Sequence, residues 1–116
     1  MIEILDETQG NLIAAKVEGK ITEQDYEKFN PLLEKTLKDY DKPNVYCEVY
    51  QLEMPGPEAI WEEIKNIPSY NKLGKCAIVS DQKWLDAMVK VADKPMSPDI
   101  KFFNFDQKSE AKEWVK

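Results

Sequence analysis

The four residues Cys76-Ala77-Ile78-Val79 are apolar at every position, and they stand between segments whose apolar residues recur at three- and four-residue steps. A strand with no polar face must be covered on both sides, as strands inside a parallel sheet are. Leu12-Ile13-Ala14-Ala15-Lys16-Val17 has the same character over most of its length, closed by Glu18-Gly19-Lys20. Val45, Cys47 and Val49 alternate with Tyr46, Glu48 and Tyr50, which predicts a third strand with one face more apolar than the other. Ile100, Phe102 and Phe105 predict a fifth strand after Pro98-Asp99. The chain opens on Ile2 and Ile4, a first strand ended by Asp6-Glu7 and the turn-rich residues to Gly10-Asn11. It lies so near the second strand that an antiparallel hairpin is the simplest pairing.

Helical patterns fill the intervals. Thr22-x-x-Asp25 has the form of an N-cap with an acidic residue three positions on, and Tyr26, Phe29, Leu32, Leu33 and Leu37 make one apolar stripe. Pro31 sits inside that stripe and predicts a kink near Phe29 or Asn30. Met54-Pro55-Gly56-Pro57 turns the chain, Pro57 suits a first helical position, and Ile60, Trp61, Ile64 and Ile67 form the next stripe before Pro68. After the loop carrying Tyr70 and Leu73, Ser80-Asp81 is read as the cap of a third helix with Trp84, Leu85, Met88, Val89 and Ala92 inside, ending before Pro95. Asp106 is read as the cap of a closing helix with Ala111, Trp114 and Val115 on its inner side. The expected order is β-β-α-β-α-β-α-β-α. Right-handed crossovers then give a single α/β domain over 1–116: a five-stranded, mostly parallel sheet with an antiparallel N-terminal strand and four helices.

A length of 116 residues fits one domain, and 42% hydrophobic with 33% charged residues belongs to a globular chain. The net charge is −6 with a pI near 4.7, and all 16 basic residues are lysine. No arginine fork and no basic patch can be built, which argues against a nucleic-acid surface. No apolar run approaches the roughly 18 residues of a membrane span, and no basic-then-apolar leader opens the chain. The expectation is a chain that starts at Met1 and stays in the cytosol. Cys47 and Cys76 lie in strand patterns without a C-x-x-C spacing, and are read as buried free thiols.

Reactive constellations are scarce. The chain has no histidine, no phosphate loop and no metal cluster, so no cofactor or metal is expected, and neither cysteine has the base that usually activates a thiolate. Glu62 and Glu63 are adjacent on a helix and point about 100° apart. Glu58 and Glu62 share a face and are read as solvated. Lys72 and Lys75 are read as solvated lysines, with an anion site near the sheet's carboxyl edge as the alternative. Trp61, Trp84 and Trp114 are read first as core. The stretch 44–66 runs from strand through Pro/Gly turn into helix, and there Met54, Pro55, Trp61 and Tyr70 would edge an apolar patch beside the carboxyl ends of strands three and four. Open parallel sheets tend to bind ligands at that edge.

Met1-Ile2-Glu3-Ile4, Val17-Glu18-Gly19-Lys20-Ile21-Thr22 with Asp25-Tyr26, the helix start from Ala59 to Glu63 with Trp61, Lys75-Cys76-Ala77-Ile78-Val79-Ser80-Asp81 with Trp84, and Ala111-x-x-Trp114 together resemble the SpoIIAA-like proteins. These are relatives of the anti-sigma-factor antagonist (STAS) domains, grouped in fold with lipid-binding Sec14-like domains. The resemblance spans nearly the whole chain, and its motifs are structural. In the signalling members the turn after the third strand carries a serine phosphorylated by a partner kinase. The matching positions here are Glu53-Met54-Pro55-Gly56, and no Ser or Thr occurs between Asn44 and Pro68. The expected function is therefore a non-enzymatic binding or regulatory module, without that switch. It would contact a protein partner or a small apolar, lipid-like ligand through Glu53, Met54, Pro55, Gly56, Trp61 and Tyr70. An enzyme acting on a small metabolite at the same edge and a self-associating domain are the alternatives.

Overall fold

The structure, a computed structural model, describes residues 1–52, 72–81 and 99–116. Its strands are β1 (Ile2–Ile4), β2 (Leu12–Gly19), β3 (Asn44–Leu52), β4 (Lys75–Ser80) and β5 (Asp99–Asn104). They form one sheet in the order β1-β2-β3-β4-β5. β1 pairs antiparallel with β2, and the other three pairings are parallel. The mostly parallel sheet with an antiparallel first strand is as the hydrophobic periods imply. Two α-helices lie among the described residues, α1 (Glu23–Asp39) and a closing helix (Lys108–Trp114), the second preceded by a 3-10 turn (Phe105–Gln107). The other two expected helices, between Pro57 and Pro68 and between Asp81 and Pro95, fall outside the described residues.

α1 starts where its cap residues place it. The Thr22 hydroxyl accepts from the Asp25 N–H at 3.3 Å, and Asp25 Oδ2 accepts from the Thr22 N–H at 2.8 Å, so two otherwise orphaned donors are satisfied together. The same carboxylate reaches β1: Oδ1 accepts from the Ile2 N–H at 3.0 Å, and Oδ2 lies 3.4 Å from the terminal ammonium. The helix continues through Pro31, whose ring is exposed. Its buried residues are Phe29, Leu33 and Thr36, the Thr36 hydroxyl donating to the Leu32 carbonyl at 2.8 Å.

Each face of the sheet has its own core. On one, Phe29 and Leu33 of α1 pack with Ile13, Val45, Val49, Cys76 and Ile78. On the other, Ala111 and Val115 at the end of the chain pack with Ala14, Tyr46, Ala77, Val79 and Phe103. Three boundaries differ from the sequence expectation. β2 runs on through Glu18 to Gly19, whose φ of 66° ends it in a conformation that favours glycine. Phe105 leaves the strand and begins the 3-10 turn. Asp106 lies within that turn and does not cap the helix; the turn is held instead by Asn104, whose N–H donates to Gln107 Oε1 at 3.0 Å.

The amino ends of the parallel strands are tied by one residue. Asn44, buried at the start of β3, donates from Nδ2 to the Val115 carbonyl at 2.5 Å and accepts at Oδ1 from the Lys75 N–H at 2.8 Å. Gly74 passes so close that a Cβ there would stand 2.5 Å from Asn44 Oδ1 and 3.1 Å from the Lys42 carbonyl. The bond to Val115 fixes the C-terminal end of the closing helix against the sheet.

Candidate functional site

A cluster of polar side chains is built on β3 and the start of the closing helix. On β3, Tyr46, Glu48 and Tyr50 share the face that the closing helix covers. That face is the less apolar one of the sequence pattern, yet Tyr46 is fully buried and Glu48 is 8% exposed. A carboxylate in such a place needs every lone pair addressed. Oε2 accepts from the Tyr46 hydroxyl at 2.7 Å, and Oε1 from the Tyr50 hydroxyl at 3.0 Å. Lys108, first residue of the closing helix, donates to the Tyr50 oxygen at 3.0 Å and lies 3.6 Å from Glu48 Oε1. A relay therefore runs from ammonium through phenol to carboxylate.

Aromatic rings and ammonium groups complete the cluster. Tyr50 stacks on Phe105 with centroids 4.8 Å apart. Lys16 Nζ lies 4.9 Å and Lys108 Nζ 5.6 Å from the Tyr50 ring centroid, and Lys112 Nζ lies 5.5 Å from that of Tyr46. All are within range of a cation–π attraction.

The titration directions follow from these contacts. Burial pushes Glu48 up, but the hydroxyls of Tyr46 and Tyr50 and the ammonium groups of Lys108 and Lys112 outweigh it and hold the carboxyl below its ordinary range. Burial, with Glu48 beside it, pushes the Tyr46 phenol strongly up. The hydrogen bond to Tyr50 raises Lys108, desolvation opposes it, and Glu48 adds to the rise. The centre of the cluster is thus a carboxylate held ionised by the hydroxyls of Tyr46 and Tyr50 and by the Lys108 ammonium. Its hydrogen bonds fix the relative positions of Tyr46, Glu48, Tyr50 and Lys108.

The residues expected to form the site, Glu53, Met54, Pro55, Gly56, Trp61 and Tyr70, all fall outside the described residues, as do Glu58, Glu62 and Glu63. Leu52, the last residue of β3, directly precedes the first of them. Lys75 is corrected. It is the first residue of a parallel strand, so it stands at the amino edge, where Nζ donates to the Trp114 carbonyl at 3.1 Å. Lys72 is exposed just before it, at the same end. The helix that Ser80-Asp81 is expected to cap lies outside the described residues; Ser80 is the last residue of β4, and its hydroxyl is buried with no hydrogen-bond partner among the described residues. Trp114 is half-buried and tilted against Phe103 at 6.0 Å, in agreement with its reading as core.

Cys47 and Cys76 are free. Val45 pairs with Cys76 and Cys47 with Ile78, so the thiols are diagonal neighbours on adjacent strands, on the α1 face. Burial pushes Cys47 up, helped by Cys76 and Glu48, and burial alone carries Cys76 to about 12, which keeps the thiols protonated. Among the described residues no group of His, Cys, Asp or Glu is placed to hold a metal ion, and no helix is long and apolar enough to cross a membrane.

Comparison with known proteins bears on the fold. No curated protein matches the chain. A crystal structure of an uncharacterized protein from the DUF3478 family, with a SpoIIAA-like fold, from Shewanella loihica PV-4, superposes with a TM-score of 0.69 at 26% identity, covering 99% of this chain and 94% of that one. The SpoIIAA-like family model matches residues 12–116, which takes in β2 to β5, α1 and the closing helix. The chain belongs to the SpoIIAA-like family.

Proposed function

We propose that the chain is a non-enzymatic binding or regulatory module that meets a protein partner, or a small apolar and lipid-like ligand, at the edge where β3 ends and the Glu53-Met54-Pro55-Gly56 turn begins. The observation that carries the reading is the Glu48 cluster. Both carboxylate oxygens accept from tyrosines of β3, and Lys108 ties the strand at Glu48 and Tyr50 to the closing helix. A rigid strand end supporting a Pro/Gly turn is suited to docking, since ordering on contact is then small. The missing serine removes the phosphorylation switch from that turn.

An enzyme at the same edge would need a carboxyl group able to give up or take a proton. Glu48 is the buried carboxylate there, and it is ionised with both oxygens already accepting. Self-association would need an apolar surface. Among the described residues the exposed large hydrophobics are Met1 and Tyr40.

Native mass spectrometry and affinity capture of the protein as purified test the reading. A retained ligand or captured partner should be lost when Met54→Asp is combined with Trp61→Ala. If both patterns stay unchanged in the double variant, the site is elsewhere.

A further inference from the structure

We propose that the amino half of the closing-helix face, at Lys75, Lys101 and Trp114, is a docking surface for an acidic peptide segment of a partner protein. It lies at the end of the strands opposite to the one where β3 leads into Glu53, and it goes beyond the docking reading above.

Lys75 opens β4, and Lys101 is the third residue of β5. Ala77 is the register partner of Lys101, so strand alternation puts Lys75, Lys101 and Phe103 on the face that the closing helix covers. Trp114 reaches them from that helix. Its indole is tilted against Phe103 at 6.0 Å, with Lys75 Nζ 5.6 Å and Lys101 Nζ 5.9 Å from the indole centroid. Lys101 Nζ also lies 5.3 Å from the Phe103 centroid, and Lys75 Nζ donates to the Trp114 carbonyl at 3.1 Å. Both ammonium groups are thus held over one half-buried aromatic floor.

These two cations lack what other ring-bound lysines have. Lys16, Lys108 and Lys112 also lie over rings, and each faces a carboxylate: Glu18 at 3.7 Å, Glu48 at 3.6 Å and Glu7 at 3.9 Å. Among the described residues no carboxylate lies within ion-pairing distance of Lys75 or Lys101. Asp99, the register partner of Lys75 and two residues before Lys101, stands on the same face and pairs with neither. An ammonium has three donors; Lys75 spends one on Trp114, and Lys101 spends none among the described residues. Two like charges at one indole draw an anion more strongly than either does alone. Holding a long lysine costs side-chain entropy, and here the rings and the Trp114 carbonyl have already ordered the pair. With a net charge of −6 the chain repels anions at long range, so binding depends on contact with both ammonium groups and the ring. The surface is open, since Lys101 is exposed and β5 is the outermost strand. Small molecules favour concave pockets, whereas an acidic segment can lay carboxylates on both ammonium groups and an apolar side chain on the indole.

The test is a titration of the 15N-labelled full chain with hexaglutamate blocked at both ends, with hexalysine blocked in the same way, and with glutarate. Saturable shifts at the Lys101 and Phe103 amides and at the Trp114 indole N–H are expected with hexaglutamate. Lys101→Gln and Lys75→Gln should each weaken binding about two- to fivefold. Lys28→Gln and Lys35→Gln, at exposed positions of α1, should leave it unchanged. The Met54→Asp, Trp61→Ala double variant should bind hexaglutamate as the parent does, so the two readings fail separately. The proposal is overturned if hexaglutamate gives no saturable shift up to about 1 mM, or if hexalysine shifts the same signals as strongly. Equal weakening in the α1 variants also overturns it, since that marks unspecific charge attraction. Glutarate binding as tightly as the peptide would assign the surface to a small carboxylate instead and overturn it too.

Discussion

At Glu48 the chain places a carboxylate on a covered face of its sheet and then surrounds it with two phenols and an ammonium. Replacing it with glutamine keeps the shape but removes the charge that Lys108 faces and puts an N–H₂ where a phenol now donates. Glu48→Gln should lower unfolding free energy by about 1–3 kcal/mol in urea titrations. The pH dependence has a definite sign. Glu48 is held below its ordinary value of 4.5, so its contribution is full above that pH and is lost as pH falls through the folded value. Asp25 behaves alike. Burial pushes it up, but the N–H groups of Thr22 and Ile2, the Thr22 hydroxyl and the terminal ammonium outweigh burial and hold it at about 2 against an ordinary 3.8. Acid titration followed by circular dichroism should show stability falling below about pH 4.5, and less steeply in Glu48→Gln. The alternation of Val45, Cys47 and Val49 made the strand legible in the sequence, but not what lies over Tyr46, Glu48 and Tyr50. The group that answers Tyr50 is Lys108, 58 residues further on, and a local pattern has no means of reporting such a partner.

Among the elements, legibility follows how local the cause is. The start of α1 could be read because Thr22 and Asp25 satisfy each other three residues apart. The sheet could be read because strand and helix periods alternate. Asp106 misled for the same reason in reverse: an acidic residue before a helical pattern resembles a cap, while the actual turn is closed by Asn104 and Gln107. The site turn at 53–56 and the helices after it lie outside the described residues, so the sequence reading of Met54 and Trp61 stands on its own terms. α1 also shows one residue serving two elements. Thr22→Ala removes a cap and should cost about 1 kcal/mol. Asp25→Ala removes the cap, the Ile2 bond and the terminal ion pair, and should cost roughly 2 kcal/mol, the size of its carboxyl shift. Thermal unfolding of the two variants side by side ranks them, and equal losses would mean that β1 gains nothing from Asp25.

For the molecule as a whole, sheet order and sequence order coincide, so each parallel strand can be laid beside the one before it. The two edges of that sheet differ in role. The carboxyl edge carries the end of β3, beside the Glu48 cluster. The amino edge is a structural tie, made by Asn44 to Lys75 and to Val115. Asn44 and Val115 are 71 residues apart, so the bond closes a loop that contains β4 and β5. An interaction that closes so long a loop contributes little to the folding transition state and much to the barrier against leaving the native state. Asn44→Ala should therefore accelerate unfolding severalfold in stopped-flow denaturant jumps while leaving the refolding rate nearly unchanged. The asparagine that ties the amino edge would then act as a latch in time, setting how long a folded copy of this chain persists rather than how fast one is made.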